Sequence, residues 1–250
     1  TNRLLGEERV VVSSVAGTTR DAIDTPFTYE NEEYILIDTA GIRRKRAIEL
    51  DSVEEYCVIR SLEAIKRADI CLMVIDSSEP ISEQDVRIAG LIHEEKKPSL
   101  IVMNKWDKVE KDDKTINAYN KKLETDLSFM SYFESVYISA KTGQRVNDIM
   151  PKIIEILKNS NYRISTSVLN EIIGDAVRMT QPPVINGKKL KIYYASQTGV
   201  NPPTFTFKVN DKKHLHFSYQ RYLENVIRRN INFKGTPIEL IFKNKIEEDL

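Results

Sequence analysis

The chain of 250 residues carries 37 basic and 37 acidic side chains, for a formal net charge of zero, and 41% of its residues are hydrophobic. That length admits one large or two modest domains with a buried core. With 30% charged residues, and with its longest apolar runs, such as ICLMVI at 70–75, only of strand length, it does not read as a membrane protein, because a span needs ~20 apolar residues. The opening TNRLLGEERV lacks the apolar core of a secretory leader. Cys57 and Cys71 fall in a helical pattern and an apolar strand, which predicts two reduced core thiols and a cytoplasmic setting.

In chain order, the strand TPFTYENE is followed by EYILID (33–38) and a helical pattern over 51–68. Next come ICLMVID (70–76), a helix over 82–96, SLIVMN (99–104), a helix over 112–127, SVYISA (135–140) and a helix over 146–159. Short, wholly apolar strands alternating with helices predict an α/β domain with a mostly parallel sheet buried on both faces. Ser82 followed by Asp85 predicts a helix cap with a carboxylate in the first turn.

Beyond Tyr162 the pattern changes. A helix over 166–179, a QPPVINGKK turn, strands over 190–197 and 204–210, a helix over 218–231 and a strand over 236–244 predict a small α+β domain. The boundary gives domains of 1–162 and 163–250. Residues 166–250 hold 13 basic against 8 acidic side chains, an excess that hints at an anionic partner as readily as at ordinary surface variation.

DTAG at 38–41 falls where EYILID ends, the edge at which open α/β sheets bind ligands. Asp38 is an acid able to hold Mg²⁺ through water beside a nucleotide phosphate. Gly41 offers a backbone N–H without a side chain to the terminal phosphate, with Thr39 and Ala40 in the same turn. NKWD at 104–107 ends SLIVMN on the same edge. There Asp107 can accept from the ring N–H and exocyclic amine of guanine. Adenine lacks that donor pair and would leave a carboxylate unpaired. Asn104 would tie neighbouring loops and the stem of Lys105 would lie along the base. SAK, Ser139, Ala140 and Lys141, ends the strand SVYISA and would bring backbone N–H groups near the guanine oxygen. In the loop AGTTRD (16–21), Thr19, preferred over Thr18, could complete the Mg²⁺ shell and sense the γ-phosphate. Each motif alone has a plain structural reading as a cap, a turn or a solvated pair. Three of them at the ends of three strands, in this order, do not arise readily by chance.

With these motifs the sequence resembles the Era- and TrmE-type translation GTPases. More closely, it is similar to the C-terminal half of the double-Era GTPases, the EngA or Der family of bacterial ribosome-assembly factors. AGTTRDAIDTPF, LIDTAGIRRK, MNKWDKVEKD and ISAKTGQRV carry the likeness in the first domain. KLKIYYASQTGVNPPTFTFKVN, HFSYQRYLEN and FKGTPIEL carry it in the second. The resemblance implies a P-loop GTPase domain over 1–162, a KH-like domain over 163–250, GTP and GDP as ligands, and Mg²⁺ held by Thr19 and Asp38. It also implies a monomer working on the ribosomal large subunit and its rRNA, with the family's first GTPase domain packing on the KH-like domain. Ile42 stands where Ras-like enzymes have glutamine and cannot orient water by hydrogen bonding. Catalysis would then rest on Thr19, Asp38, the Gly41 backbone, Mg²⁺ and, as a candidate, K⁺. RRKRA at 43–47 reads equally as a solvated loop or a contact to rRNA phosphate.

The phosphate-cradling pattern G-x-x-x-x-G-K-[ST] occurs nowhere in the sequence. In the family it precedes a helix ending in a phrase like TNRLLGEERV, so the resemblance implies that it lies just before Thr1 and that these residues are not a complete catalytic site. The sequence also lacks the G-x-x-G loop of conventional KH domains among Gly174, Gly187, Gly199 and Gly235. Lys188, Lys189, Lys191, Arg221, Arg228 and Arg229 are candidates for phosphate contact. Strand spacing assigns Tyr193, Tyr194, Phe205 and Phe207 to the core. His214 and His216 have no neighbours at metal-ligand spacing. Two functional readings follow: a GTP-hydrolysing switch of ribosome assembly, or, if Thr1 is the true N-terminus, a ribosome- or rRNA-binding module without catalysis.

Overall fold

The computed structural model describes residues 23–38, 61–185 and 187–245. The chain divides into two compact units, one ending at Ile154 and the other beginning at Glu155.

In the first unit β1 (Ile23–Tyr29) and β2 (Glu32–Asp38) form an antiparallel hairpin, in register from Ile23 opposite Asp38 to Tyr29 opposite Glu32. Its turn residues Glu30 and Asn31 both take positive φ, 48° and 67°, the conformation that lets a tight turn match the strand twist. Helix α1 is described over 61–67. Then follow β3 (Cys71–Asp76), α2 (Glu83–Glu94), β4 (Ser99–Asn104), α3 (Thr115–Asp126) and β5 (Glu134–Tyr137). The three strands form a parallel sheet in the order β3–β4–β5. Leu100, Ile101, Val102 and Met103 of the central strand are at most 2% exposed, which is why β4 reads as an unbroken apolar run rather than an alternation. Helix α2 begins with the expected capping box: Asp85 N–H donates to Ser82 Oγ at 3.1 Å and Ser82 N–H to Asp85 Oδ2 at 2.9 Å. Cys71 is buried and its thiol is pushed up to about 11 by that burial; Cys57 lies outside the described residues.

Helix α4 (Ile149–Ser160) leads into the second unit, after a single 3₁₀ turn at Val146–Asp148 that the sequence pattern merges with it. The unit contains α5 (Thr166–Met179), β6 (Val184–Ile185), β7 (Lys188–Lys189), β8 (Ile192–Gly199), β9 (Thr204–Val209), α6 (Phe217–Asn230) and β10 (Glu239–Asn244). The expected QPPVINGKK turn holds the small β6–β7 hairpin. The larger sheet runs β10–β9–β8, with β8 antiparallel and β10 parallel to β9. One face carries Ala195, Phe205, Phe207 and Val209, packed with Leu169, Ile173 and Ala176 of α5 and Tyr219, Leu223 and Ile227 of α6. Asn170 of α5 clasps the sheet edge, accepting from Ala195 N–H at 2.9 Å and donating to Ala195 O at 2.7 Å. Ser165 and His216 cap α5 and α6 by accepting from Val168 N–H and Ser218 N–H.

The expected architecture holds: an α/β unit with a parallel sheet, followed by a small α+β unit. Phe205 and Phe207 are fully buried, as expected. Tyr193 and Tyr194 are not: both are 46% exposed, which corrects their assignment to the core. Tyr193 falls at a register shift between Ile192 and Tyr194. The extra residue resets the alternation, so both tyrosines leave the buried face.

Candidate functional site

The site grows from the carboxyl end of the parallel sheet. Asp76 and Asn104 are register partners at the ends of β3 and β4, so the loops that follow leave side by side. Ser77 N–H donates to Asn104 O at 2.8 Å, and Ile138 N–H donates to Met103 O at 2.8 Å, extending the β4–β5 contact into the SAK loop.

Within NKWD, Trp106 is the anchor. The residue is 2% exposed, and its ring packs at 5.1 Å on Tyr119 and 4.6 Å on Tyr137, while its backbone N–H donates to Ile138 O at 3.0 Å. An aromatic residue buried this deeply fixes the loop that carries its neighbours. Asn104 Oδ1 accepts from Ala140 N–H at 3.0 Å, tying NKWD to SAK. Ser139 Oγ donates to Asp107 Oδ1 at 2.6 Å and accepts from Thr142 N–H at 3.1 Å. The Asp107 carboxylate is thus held by a hydroxyl and faces solvent. That hydroxyl, more than any other influence, keeps its carboxyl below the usual range, with Lys141 and Lys108 adding to the effect, so the group stays an ionised acceptor at neutral pH.

Lys105 has a left-handed φ of 62°, uncommon for a residue with a Cβ, and its ammonium pairs with Asp76. Asp76 also accepts from Ser78 N–H at 3.0 Å and Ser78 Oγ at 2.7 Å. Partial burial raises its pKa, but the bonds from Lys105 and Ser78 outweigh that and bring it down to about 2. The sequence reading missed Asp76, although it ends MVID just as Asp38 ends ILID.

Asn104, Lys105, Asp107, Ser139 and Ala140 therefore converge, with Lys141 beside them. Asp38 ends β2. Thr19, Thr39, Ala40, Gly41, Ile42 and the stretch RRKRA lie outside the described residues. Among the described residues no cluster of three or more His, Cys, Asp or Glu could hold a metal, and no helix is long and apolar enough to cross a membrane. In the second unit one phosphate candidate changes role. Arg228 Nε donates to Glu224 at 3.0 Å, and its Nη1 donates to Phe233 O and Thr236 O at 3.2 and 3.1 Å, so its side chain, 15% exposed, braces the segment after α6.

Comparison with known proteins follows the same division. A family described as "KH-domain-like of EngA bacterial GTPase enzymes, C-terminal" matches residues 163–243, and one described as "50S ribosome-binding GTPase" matches residues 1–105. The GTPase Der of Alkaliphilus oremlandii is 51% identical over 248 residues, covering 99% of this chain. That of Clostridium acetobutylicum is 51% identical over 245 residues, covering 98%. The chain belongs to the EngA/Der GTPase family. It spans 56% of the length of each of these Der relatives. Two solved structures share the fold at 22% identity and 98% coverage of this chain. They are Era in complex with MgGDPNP and nucleotides 1506–1542 of 16S ribosomal RNA, with a TM-score of 0.52 and 88% of that chain covered, and a point variant of Aquifex aeolicus Era bound to GDP·AlF4⁻, with 0.53 and 87%. The EngA/Der membership joins the two units: the GTPase match contains NKWD up to Lys105, and the KH-like match contains nearly all of the β8–β9–β10 sheet.

Proposed function

We propose that the chain is the guanine-reading and KH-like part of a GTP-hydrolysing switch that works in assembly of the ribosomal large subunit in the cytoplasm. The observation that carries this reading is Asp107, an ionised carboxylate held at the sheet edge by Ser139 and open to solvent. Its free acceptor positions suit the paired N–H donors of guanine, which adenine lacks. Asn104 fixes the SAK loop, whose backbone N–H groups meet the guanine oxygen, and the Trp106 anchor keeps both loops in register. Lys105 covers the base with its stem, and Lys141 adds positive charge beside it.

The phosphate side of the reading rests on Asp38, Thr39, Ala40, Gly41 and Thr19. Asp38 and Thr19 would hold Mg²⁺, which when bound neutralises charge on the nucleotide phosphates. Ile42 offers no hydrogen bond to water, so stabilisation of the reacting phosphate would fall to the Gly41 backbone N–H, with bound cations, K⁺ among the candidates, supplying positive charge there. The matches to a ribosome-binding GTPase family and to Der relatives support rRNA of the large subunit as the partner. The monomeric state and the packing of a further GTPase domain on the KH-like unit belong to the same proposal.

The test is a base swap. Titrations of the parent chain and Asp107→Asn with fluorescent GDP and XDP should show the variant's preference moving from guanine toward xanthine by at least ~10-fold, equivalent to ~1.4 kcal/mol. The amide supplies a donor where xanthine carries an oxygen. An unchanged ratio in a chain that binds either nucleotide would refute the role given to Asp107.

A further inference from the structure

The sheet of the second unit has one face under α5 and α6 and, among the described residues, one face that no helix of this unit covers. Alternation along β8 and its pairing with β9 assign the residues of that open face. Ile192 lies opposite Val209 in the core, so Lys191 and Tyr193 point outward. The register shift then turns Tyr194 outward too, opposite Lys208. In the same row, Lys243 of β10 is the register partner of Lys208. Lys245 follows β10, and its N–H donates to Val209 O. The ammonium groups of Lys191 and Lys245 stand 5.1 and 5.4 Å from the centre of the Tyr193 ring. None of these four lysines forms an ion pair among the described residues. Among the described residues the acid on this face is Glu239, opposite Thr204 at the far end of β9.

Two half-exposed tyrosines flanked by four lysines that form no ion pair among the described residues make a surface of defined chemistry. Tyrosine rings offer flat faces to any base, and the lysines offer cations on neighbouring strands beside them. A protein partner of ordinary composition would not call for four like charges around two rings. The G-x-x-G loop of conventional KH recognition is absent from this sequence, so RNA binding by this unit calls for another surface.

We propose that this open sheet face binds single-stranded RNA, with bases stacked on Tyr193 and Tyr194 and phosphates held by Lys191, Lys208, Lys243 and Lys245. The inference deepens the ribosomal side of the function above and is independent of its nucleotide side. Failure here would leave the Asp107 test untouched.

The experiment is fluorescence anisotropy of a labelled oligouridylate with the full chain, in the absence of guanine nucleotide. Tyr193→Ala and Tyr194→Ala should each weaken binding roughly 5- to 100-fold, while Tyr193→Phe and Tyr194→Phe retain it. Lys208→Gln and Lys243→Gln should each lower the slope of log affinity against log salt by about 0.7. An RNA duplex should bind more weakly than the single strand, because its bases are already stacked. Circular dichroism of every variant controls for folding. The proposal is overturned if the folded alanine variants bind oligouridylate like the parent. It is equally overturned if duplex and single strand bind alike, which would mark a purely electrostatic patch. Loss of association with another protein without loss of RNA binding would reassign the face to a protein interface.

Discussion

Replacing Gly235 by alanine is the sharpest available test of how the C-terminal part of α4 packs within the second unit. Gly235 has a φ of +73°, and a Cβ built on it would lie 2.3 Å from Cγ1 and 2.6 Å from Cδ1 of Ile156. Ile156 belongs to α4 and is completely buried, so its side chain has no solvent into which to retreat. Two costs add. An L-residue in the left-handed region costs ~1–2 kcal/mol, and forcing a methyl into a packed contact costs ~1–3 kcal/mol. Gly235→Ala should therefore destabilise the second unit by ~2–5 kcal/mol. Urea unfolding followed by far-UV circular dichroism reads both units, whereas fluorescence of Trp106, the single tryptophan, reads the first. The loss should appear in the former signal. Ile156→Ala removes the three atoms a new Cβ would meet, so the double variant should be more stable than the sum of the single losses by at least ~1 kcal/mol. A Gly235→Ala chain within ~0.5 kcal/mol of the parent, or strict additivity with Ile156→Ala, would refute the close approach.

Two further outcomes follow from side chains that the site and the sheet use differently. Asp76 is held at about 2 against an ordinary 3.8, so its contribution is complete above that ordinary value and is lost as pH falls between the two. Solvent screening limits it to ~1 kcal/mol, and the stability difference between parent and Asp76→Asn should shrink by that amount in acid; a pH-independent difference in urea midpoints would sink the assignment. Arg228→Met keeps the buried stem but takes the guanidinium donor from Glu224 and Thr236 O and leaves Phe233 O with the Thr236 N–H alone, so thermal or urea unfolding should show a loss of ~2–3 kcal/mol. Exposed Arg221→Gln and Arg229→Gln should stay within ~0.5 kcal/mol, and equal losses at all three would argue against the brace.

Much of this fold was legible because its strongest signals are local. SLIVMN reads as a strand with both ends correct, since burial on both faces leaves no polar residue to blur it. The helix at 166–179 is equally plain, with Ser165 supplying the cap that starts it. The two tyrosines of IYYASQ were illegible for a specific reason. Strict alternation must send one of two adjacent residues inward, and only the register against β9 reveals that Tyr193 is an extra residue on β8, which sends both outward. Arg228 carried a signal that was passed over: Glu224 stands four residues earlier on the same helix, the spacing of an intrahelical ion pair, which favours a bracing role over a free cation.

The carboxylates of the site show where a motif stops and geometry begins. Asp76 and Asp107 both follow apolar strands at one sheet edge, and a one-dimensional reading ranks them by motif alone. Their difference lies in which donors close on them. Asp76 takes an ammonium and both donors of Ser78, which spends its acceptor capacity inside the protein. Asp107 takes one hydroxyl, from a loop 32 residues on, and keeps the remainder toward solvent. A base reader needs that combination. With no partner, the carboxylate would have to be ordered by the ligand, at a cost in affinity. With partners on all sides, it could accept nothing from guanine. Ser139 is therefore as much a determinant of the proposed specificity as Asp107. Its replacement by alanine should weaken guanine binding while sparing the order of preference between guanine and xanthine, and a Ser139→Ala chain that binds fluorescent GDP like the parent would refute that role.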